Sequence, residues 1–199
     1  MKRTFTCITF LFLSLIINAK SPFALGLSWG FSPQVYKSMD FSYRTNQIGY
    51  RVSDSRKGFN FYECAYLSLD AGLNVSKHWS LHLVSGYRGV DENYNIVPLY
   101  LQTRFYFKEY SENGIFLGMG AGTALKDWHL NDDIVLSNIE LGYREYLYKT
   151  LNLEFLIKLE GMFLHPLPID KYEGVISRPQ VLYSNVGYIF IGTGFRINF

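Results

Sequence analysis

The sequence is poor in cysteine, in long apolar runs and in net charge, and each shortage excludes a class of protein. Its 199 residues include only two cysteines, Cys7 and Cys64. Lys and Arg number 19 against 17 Asp and Glu, so the nearly balanced charge offers no basic face for nucleic acid. Beyond the N-terminus, no segment approaches the ~20 apolar residues of a membrane-spanning helix. We therefore expect neither a nucleic-acid partner nor a helical membrane protein.

The N-terminus has the pattern of a secretory signal peptide. Lys2 and Arg3 precede an apolar run at 7–17, which ends at Asn18, Ala19 and Lys20. We expect residues 1–19 to be removed, which leaves one domain at 20–199. Because Cys7 precedes the apolar core, it is badly placed for a lipoprotein anchor. The mature chain would keep one cysteine and form no intramolecular disulfide.

Eight segments alternate apolar residues with polar or small ones, which is typical of β-strands. The clearest covers 151–163, where Leu153, Phe155 and Ile157 alternate with Glu154 and Lys158. The others cover 25–32, 61–74, 79–88, 97–107, 115–122, 138–144 and 187–199. Aromatic residues make up 18% of the chain, as expected for a protein with aromatic girdles.

The connections alternate in length. Those at 76–79, 108–114 and 147–150 are short, and those at 34–60, 89–95, 126–133 and 164–180 are mostly longer. Short periplasmic turns and longer extracellular loops are the plan of an outer-membrane barrel. We predict an all-β, closed, eight-stranded antiparallel transmembrane barrel of up-and-down topology, with lipid covering the odd-numbered apolar face as far as Phe199. A soluble exported β-sandwich or lipocalin-like barrel is the rival, but the even-numbered face carries Gly, Tyr and charge unsuited to a soluble surface.

The even positions would then face the lumen and fill it with charge. The acids are Asp70, Glu140, Glu154 and Glu160, and the bases are Arg88, Arg104, Arg144, Lys158 and Arg196. Side chains fill the interior of an eight-stranded barrel, so a porin is not expected. Charges in so narrow a space must pair, because a lone buried charge is costly. The two interpretations are a rigid salt-bridge plug and a path for protons or ions.

The chain resembles the small eight-stranded outer-membrane barrels, the OmpA/OmpX-like proteins of the outer membrane protein β-barrel domain group. The resemblance covers 23–199 and rests on the signal peptide, on IVPLYLQTRFYF followed by NGIFLGMGAG, and on the terminal GFRINF. It implies the outer membrane of a Gram-negative bacterium and no cofactor. Members are structural, adhesive or uncharacterised, which implies a structural or binding role through extracellular loops.

A lipid A-modifying hydrolase is the alternative function. His78 and Ser80 lie two residues apart and Glu92 follows, which resembles the arrangement of lipid A 3-O-deacylases, although the flanking Asn and Gly context is absent. The predicted topology separates His78 and Glu92 by the height of the barrel. His82 is expected to be a satisfied polar residue of the lumen. We therefore predict no enzyme and assign no catalytic, cofactor-binding or metal-binding residue.

The first long connection is basic and aromatic. It carries Lys37, Arg44, Arg51, Arg56 and Lys57 against Asp40 and Asp54. One interpretation is a loop that contacts lipopolysaccharide phosphates or another anionic ligand. The other is a strand extension, with MDFSYRT and IGYRV paired as a hairpin above the membrane. The expected partners are therefore outer-membrane lipid, lipopolysaccharide and an unidentified surface ligand.

Overall fold

The structure, a computed structural model, describes residues 23–46, 50–91, 94–126, 134–148, 151–170 and 174–199. The predicted signal peptide lies outside these ranges. The strands within them are β1 Phe23–Phe31, β2 Gln34–Arg44, β3 Arg51–Tyr62, β4 Ala65–Asn74, β5 Trp79–Asp91, β6 Tyr94–Tyr106, β7 Gly114–Lys126, β8 Ile134–Tyr146, β9 Asn152–Leu164, β10 Ile169–Asp170, β11 Gly174–Val175 and β12 Val181–Asn198. A 3₁₀ helix spans Arg178–Gln180, and no described helix is long and apolar enough to cross a bilayer.

Eight of the strands close into a barrel. They follow the order β1, β4, β5, β6, β7, β8, β9 and β12, each antiparallel to the next, and β1 pairs with β12 to complete the ring. The closing register places Gly26 opposite Asn198 and Phe31 opposite Thr193. Closure leaves no unpaired backbone edge in the part of the wall that meets hydrocarbon. The prediction of a closed eight-stranded antiparallel barrel is confirmed.

The side chains of the barrel strands alternate between lumen and lipid as predicted. In β4 every even residue from Tyr66 to Gly72 is buried and every odd residue is exposed. In β9 every even residue from Asn152 to Leu164 is buried. Its odd residues are exposed, except for two half-buried ones near the ends of the strand. The exposed face includes Leu69, Leu101 and Ile157, each about half exposed. An apolar outer belt around a charged interior is the arrangement of a membrane barrel.

The connection at 34–60 forms an extended hairpin, the second of the two predicted alternatives. β2 pairs with β3 and with the first half of β12, which is longer than the other strands. The predicted strand at 61–74 is interrupted at 63–64, because β3 belongs to the hairpin and β4 to the barrel. In the described part of the chain, the outer edge of β3 pairs with no other strand.

A β-bulge at the base of the hairpin reverses which residues face outward. The register shifts between Gln34 and Tyr36, so that Tyr36 lies opposite the lipid-facing Ile189 and Met39 lies opposite the buried Val186. An inserted residue of this kind turns the following side chains to the opposite face. Beyond the bulge, therefore, the even residues of β2 from Tyr36 onward lie on the outward face, the reverse of the eight barrel strands. Ser42 on that face is buried and accepts a hydrogen bond from Arg51.

Two of the predicted extracellular loops differ from expectation. β5 continues to Asp91 and β6 begins at Tyr94. Only residues 92–93 of the loop predicted at 89–95 therefore lie between the two strands. The loop at 164–180 contains the short hairpin β10–β11 and the 3₁₀ helix. The loop predicted at 126–133 lies outside the described residues from 127 onward.

Candidate functional site

Glycines on the inner wall make room for the large side chains of the lumen. A Cβ added at Gly72 would lie 2.3 Å from Nδ1 of His82, and one at Gly118 would lie 2.5 Å from Cγ of Glu140. The space beside Gly120 is also occupied, because a Cβ added there would lie 2.4 Å from Oδ1 of Asn138. Each glycine thus faces a bulky side chain from the neighbouring strand, so that the two together fill the interior.

The centre of the lumen is an ion-pair network around Arg196. Its guanidinium reaches three carboxylates: Nε lies 2.9 Å from Asp70, Nη2 3.1 Å from Glu140 and Nη1 2.8 Å from Glu154. All four groups are fully buried. A buried charge is tolerated only when it is paired and hydrogen-bonded, and the fork of donors on arginine satisfies several acceptors at once.

Two further arginines extend this network. Arg104 lies 3.3 Å from Asp70 and 3.2 Å from Glu140, and it donates to the Gln102 amide oxygen at 3.0 Å. Arg144 contacts Glu154 at 2.5 Å and stacks over the Tyr106 ring, 4.4 Å from its centroid. These contacts show that Arg104, Arg144 and Arg196 pair with carboxylates of the lumen, as predicted.

A separate pair lies towards the end of the barrel that carries the β2–β3 hairpin, which is extracellular in the predicted topology, with the opposite end periplasmic. Arg88 contacts Glu160 at 2.5 Å, and Ser32 bridges them by accepting from Arg88 at 3.0 Å and donating to Glu160 at 2.8 Å. Lys158 is buried nearby, and its ammonium lies over the Tyr66 ring, 4.2 Å from the centroid. It forms no ion pair within 4.0 Å with any carboxylate of the described chain.

Apolar layers cover the charged region from both ends. The extracellular layer is built of inward residues of the upper strands: Cys64, Val90, Ile96, Ala124, Ile134, Leu136, Met162, Leu164, Val186, Tyr188 and Phe190. The periplasmic layer comprises Tyr106, Phe116 and Leu156, with Tyr110 packed against them. The lumen is therefore filled along its length, as expected for this number of strands.

The lumen also brings a serine, a histidine and an aspartate together. Ser80 Oγ lies 2.8 Å from Nε2 of His82, and Nδ1 of His82 lies 3.0 Å from Oδ1 of Asp70. Nε2 also faces the Arg104 guanidinium at 3.3 Å, so it is the acceptor, and a neutral His82 donates from Nδ1 to Asp70. Ser80 and His82 are each 1% exposed. The order of contacts is that of a serine hydrolase triad.

This arrangement differs from the one that the sequence offered. His78 does not face Ser80, because it lies in the β4–β5 turn with its Nδ1 3.0 Å from the Tyr106 carbonyl. Glu92 lies outside the described residues. His78 and His82 are both two residues from Ser80, and the structure brings His82 rather than His78 into contact with it. His82 is the satisfied lumen residue that was predicted, and Asp70 on the adjacent strand was missed as its partner.

The periplasmic turns are fastened to one another. Lys77 donates to Glu109 at 2.6 Å, and the amide of Tyr110 donates to the Lys77 carbonyl at 2.7 Å. Donating this hydrogen bond to the Glu109 carboxylate raises the pKa of the exposed Lys77 ammonium. Arg144 and Tyr146 both donate to the Tyr110 carbonyl, at 2.5 and 2.7 Å. The β6–β7 turn thus closes the periplasmic mouth.

The outward face of the β2–β3 hairpin is aromatic at its base and basic at its tip. Tyr36 and Phe59 meet edge to face with centroids 5.9 Å apart, and Phe59 is 92% exposed. Farther along, Arg44 and Arg51 lie directly opposite each other and both are exposed. Like charges opposite one another in a sheet repel, so this pair favours an anion between them.

The inward face of the hairpin leans over the barrel mouth. Lys37 lies 5.3 Å from the Tyr188 ring centroid, and Met39 packs against the extracellular apolar layer. Arg56 pairs with Asp54 at 2.8 Å. Arg44, Arg51 and Lys57 on the outward face are exposed and are the better candidates for an external ligand, and Nε of Arg51 also donates to Ser42 Oγ at 2.8 Å.

The two remaining histidines lie in the predicted loops at 164–180 and 126–133. His165 contacts the Ser184 carbonyl at 2.8 Å, and His129 lies outside the described residues. Within the described ranges, no three His, Cys, Asp or Glu side chains cluster as metal ligands.

No family model and no curated protein matches the chain. Solved structures similar to it include the outer membrane protein OprG from Pseudomonas aeruginosa, with 13% identity, 88% of this chain and 95% of that chain covered, and a TM-score of 0.49. The outer membrane protease OmpT from Escherichia coli has 8% identity, 90% and 98% coverage and a TM-score of 0.41. Ail, the attachment invasion locus protein of Yersinia pestis, in complex with the heparin analogue sucrose octasulfate, has 14% identity, 87% and 98% coverage and a TM-score of 0.29.

The class of the protein follows from its own architecture. A closed ring of eight strands, an apolar outer belt and a paired charged interior define an outer-membrane β-barrel fold. The chain has this fold.

Proposed function

We propose that this protein is exported, loses residues 1–19, and resides in the outer membrane of a Gram-negative bacterium as a closed barrel that binds lipopolysaccharide through the β2–β3 hairpin. The observation that carries the proposal is the exposed Arg44–Arg51 pair on the outward face of that hairpin. The filled lumen supports a role at the surface rather than in transport.

The outward face matches the layers of a lipopolysaccharide leaflet. Tyr36 and Phe59 lie beside the lipid-facing Ile189, at the level where aromatic side chains anchor a barrel. Lys57 follows on the same face, and Arg44 lies eight residues beyond Tyr36, roughly 25 Å along the strand. Cations at these two heights suit the phosphates of lipid A and of the inner core sugars.

Binding of lipopolysaccharide to the folded barrel in detergent tests the proposal. The double variant Arg44→Gln, Arg51→Gln should lower the affinity about tenfold, which corresponds to ~1.4 kcal/mol. The matched control is Lys77→Gln, Lys108→Gln in the periplasmic turns, which removes two exposed positive charges at the opposite end and should leave the affinity unchanged. Equal affinity of the wild type and the double variant would refute the role of the hairpin.

Hydrolysis is a second candidate function, favoured by the contacts among Ser80, His82 and Asp70. One of the two apolar layers would have to part for a substrate to reach Ser80. Incubation of the folded protein with a fluorophosphonate probe tests this function. A hydrolase would be labelled at Ser80, and labelling would disappear in Ser80→Ala and His82→Gln. The absence of labelling in the wild type rules the function out.

A further inference from the structure

The buried charges of the barrel do not balance. Among the described residues, the buried carboxylates are Asp70, Glu140, Glu154 and Glu160, and the buried cations are Arg88, Arg104, Arg144, Lys158 and Arg196. His82 is neutral in the tautomer that its neighbours require. The interior therefore carries one excess positive charge.

The excess charge belongs to Lys158. The four arginines each contact a carboxylate, and Arg196 alone contacts three. Lys158 is 2% exposed, and the contact found for its ammonium is the face of the Tyr66 ring. An aromatic face offsets part of the cost of burying a cation but supplies no countercharge.

Lys158 borders a cavity that holds unpaired donors. The cavity has a volume of about 30 Å³, and Arg88, Asn138 and Glu160 line it together with Lys158. The Asn138 side-chain amide is 7% exposed, and neither its nitrogen nor its oxygen has a hydrogen-bond partner among the described residues. Nε of Arg88 is also buried without a partner in that part of the protein. Buried polar atoms without partners point to an unseen ligand or water.

The size of the cavity limits what it can hold. One water needs about 10–15 Å³ of such volume, so 30 Å³ admits two waters or one monatomic anion with little to spare. Water would satisfy the donors but leave the charge of Lys158 uncompensated. Glu160 also lines the cavity, but its carboxylate is held by Arg88 and Ser32.

We propose that the lumen binds a small monovalent anion, of the size of a halide, between the Lys158 ammonium, the Asn138 amide N–H and Nε of Arg88. The ion neutralises the interior and pairs the donors that the protein leaves open. It is a resident of the folded barrel rather than a transported species, because the apolar layers close the lumen on both sides.

Bromide identifies the site directly. Crystals of the wild-type barrel grown in sodium bromide should show an anomalous bromine peak in this cavity. The unfolding midpoint in detergent should be roughly 2–4 °C higher in chloride or bromide than in gluconate at equal ionic strength. A lumen without bromine, or identical midpoints in halide and gluconate, would show that the cavity holds water only and would overturn the proposal.

Two variants remove the need for the anion in different ways. Asn138→Asp supplies a carboxylate of nearly the same shape, and Lys158→Met removes the excess charge. Each should lose the bromine peak and the halide dependence, whereas the exposed hairpin variant Lys57→Met should keep both. If Lys158→Met fails to fold, the Asn138→Asp variant tests the proposal by itself. A bromine peak that persists in Asn138→Asp contradicts the proposal.

Discussion

At the scale of single residues, the inner wall depends on glycine where a large side chain crosses from the next strand. Gly72→Ala should destabilise the barrel by about 1–3 kcal/mol, because its Cβ would lie 2.3 Å from the His82 ring and displace it from Asp70. Gly58→Ala in β3 is the matched control, since a Cβ there would meet nothing within 4 Å. Unfolding midpoints followed by heat-modifiable gel mobility measure both. Equal midpoints would show that His82 moves at little cost.

Cysteine labelling tests the facing of adjacent residues. Cys64 is 2% exposed and lies in the extracellular apolar layer, whereas Ala65 is exposed on the lipid side. A bulky, lipid-soluble maleimide should therefore label the folded wild type poorly and label Cys64→Ser, Ala65→Cys readily. Both proteins should react fully after denaturation. Rapid labelling of Cys64 in the folded barrel would mean that the start of β4 is wrongly placed.

At the scale of the strand, the lipid-facing belt decides whether the barrel enters a bilayer. Leu101 lies in β6 on the lipid side and is 56% exposed. Leu101→Arg should cost about 2–4 kcal/mol near the middle of the bilayer and lower the yield of folded protein in vesicles. Ser55→Arg on the exposed outward face of β3 adds the same side chain outside the belt and should fold as well as the wild type. Comparable yields for the two variants would refute the assigned lipid face.

The same scale shows what the sequence could and could not predict. The period of two was sufficient to predict the eight barrel strands and which of their residues face lipid or lumen. Lipid favours apolar side chains and the lumen accepts polar ones, so the two alternate along each strand. The reversal in β2 was missed, since a single bulge near Gln34 leaves no periodic signal and shifts everything after it.

The spacing of residues along the sequence was also insufficient to predict which side chains meet in the lumen. His78 and His82 both stand two residues from Ser80, and only the turn at 75–78 removes the first from the strand. The third member, Asp70, reaches His82 across β4 and β5, where Gly72 lies opposite His82. A pairing register of this kind is a property of the sheet and cannot be read from one strand.

At the scale of the molecule, the barrel combines a rigid interior with a hairpin that extends beyond it. Arg196 joins carboxylates from β4, β8 and β9 to β12, so the ion pairs link strands from opposite sides of the ring. Hydrogen-bonded ladders connect only neighbouring strands, whereas this network connects distant ones. In the described part of the hairpin, by contrast, Arg56 pairs with Asp54 on the same strand, and Arg44, Arg51 and Lys57 are exposed.

Two barriers of different chemistry should keep the lumen closed to ions. The extracellular layer is apolar, with Phe190 1% exposed within it, and the centre is a paired ionic layer around Arg196. Reconstituted wild-type protein should therefore give no stepwise conductance in planar bilayers. Phe190→Ala opens the apolar layer only and should also give no conductance, because ions would still meet the ionic layer around Arg196. Steady channels in Phe190→Ala would show that neither the ion pairs at the centre nor the periplasmic layer stops permeating ions, and that the layer around Phe190 is the barrier.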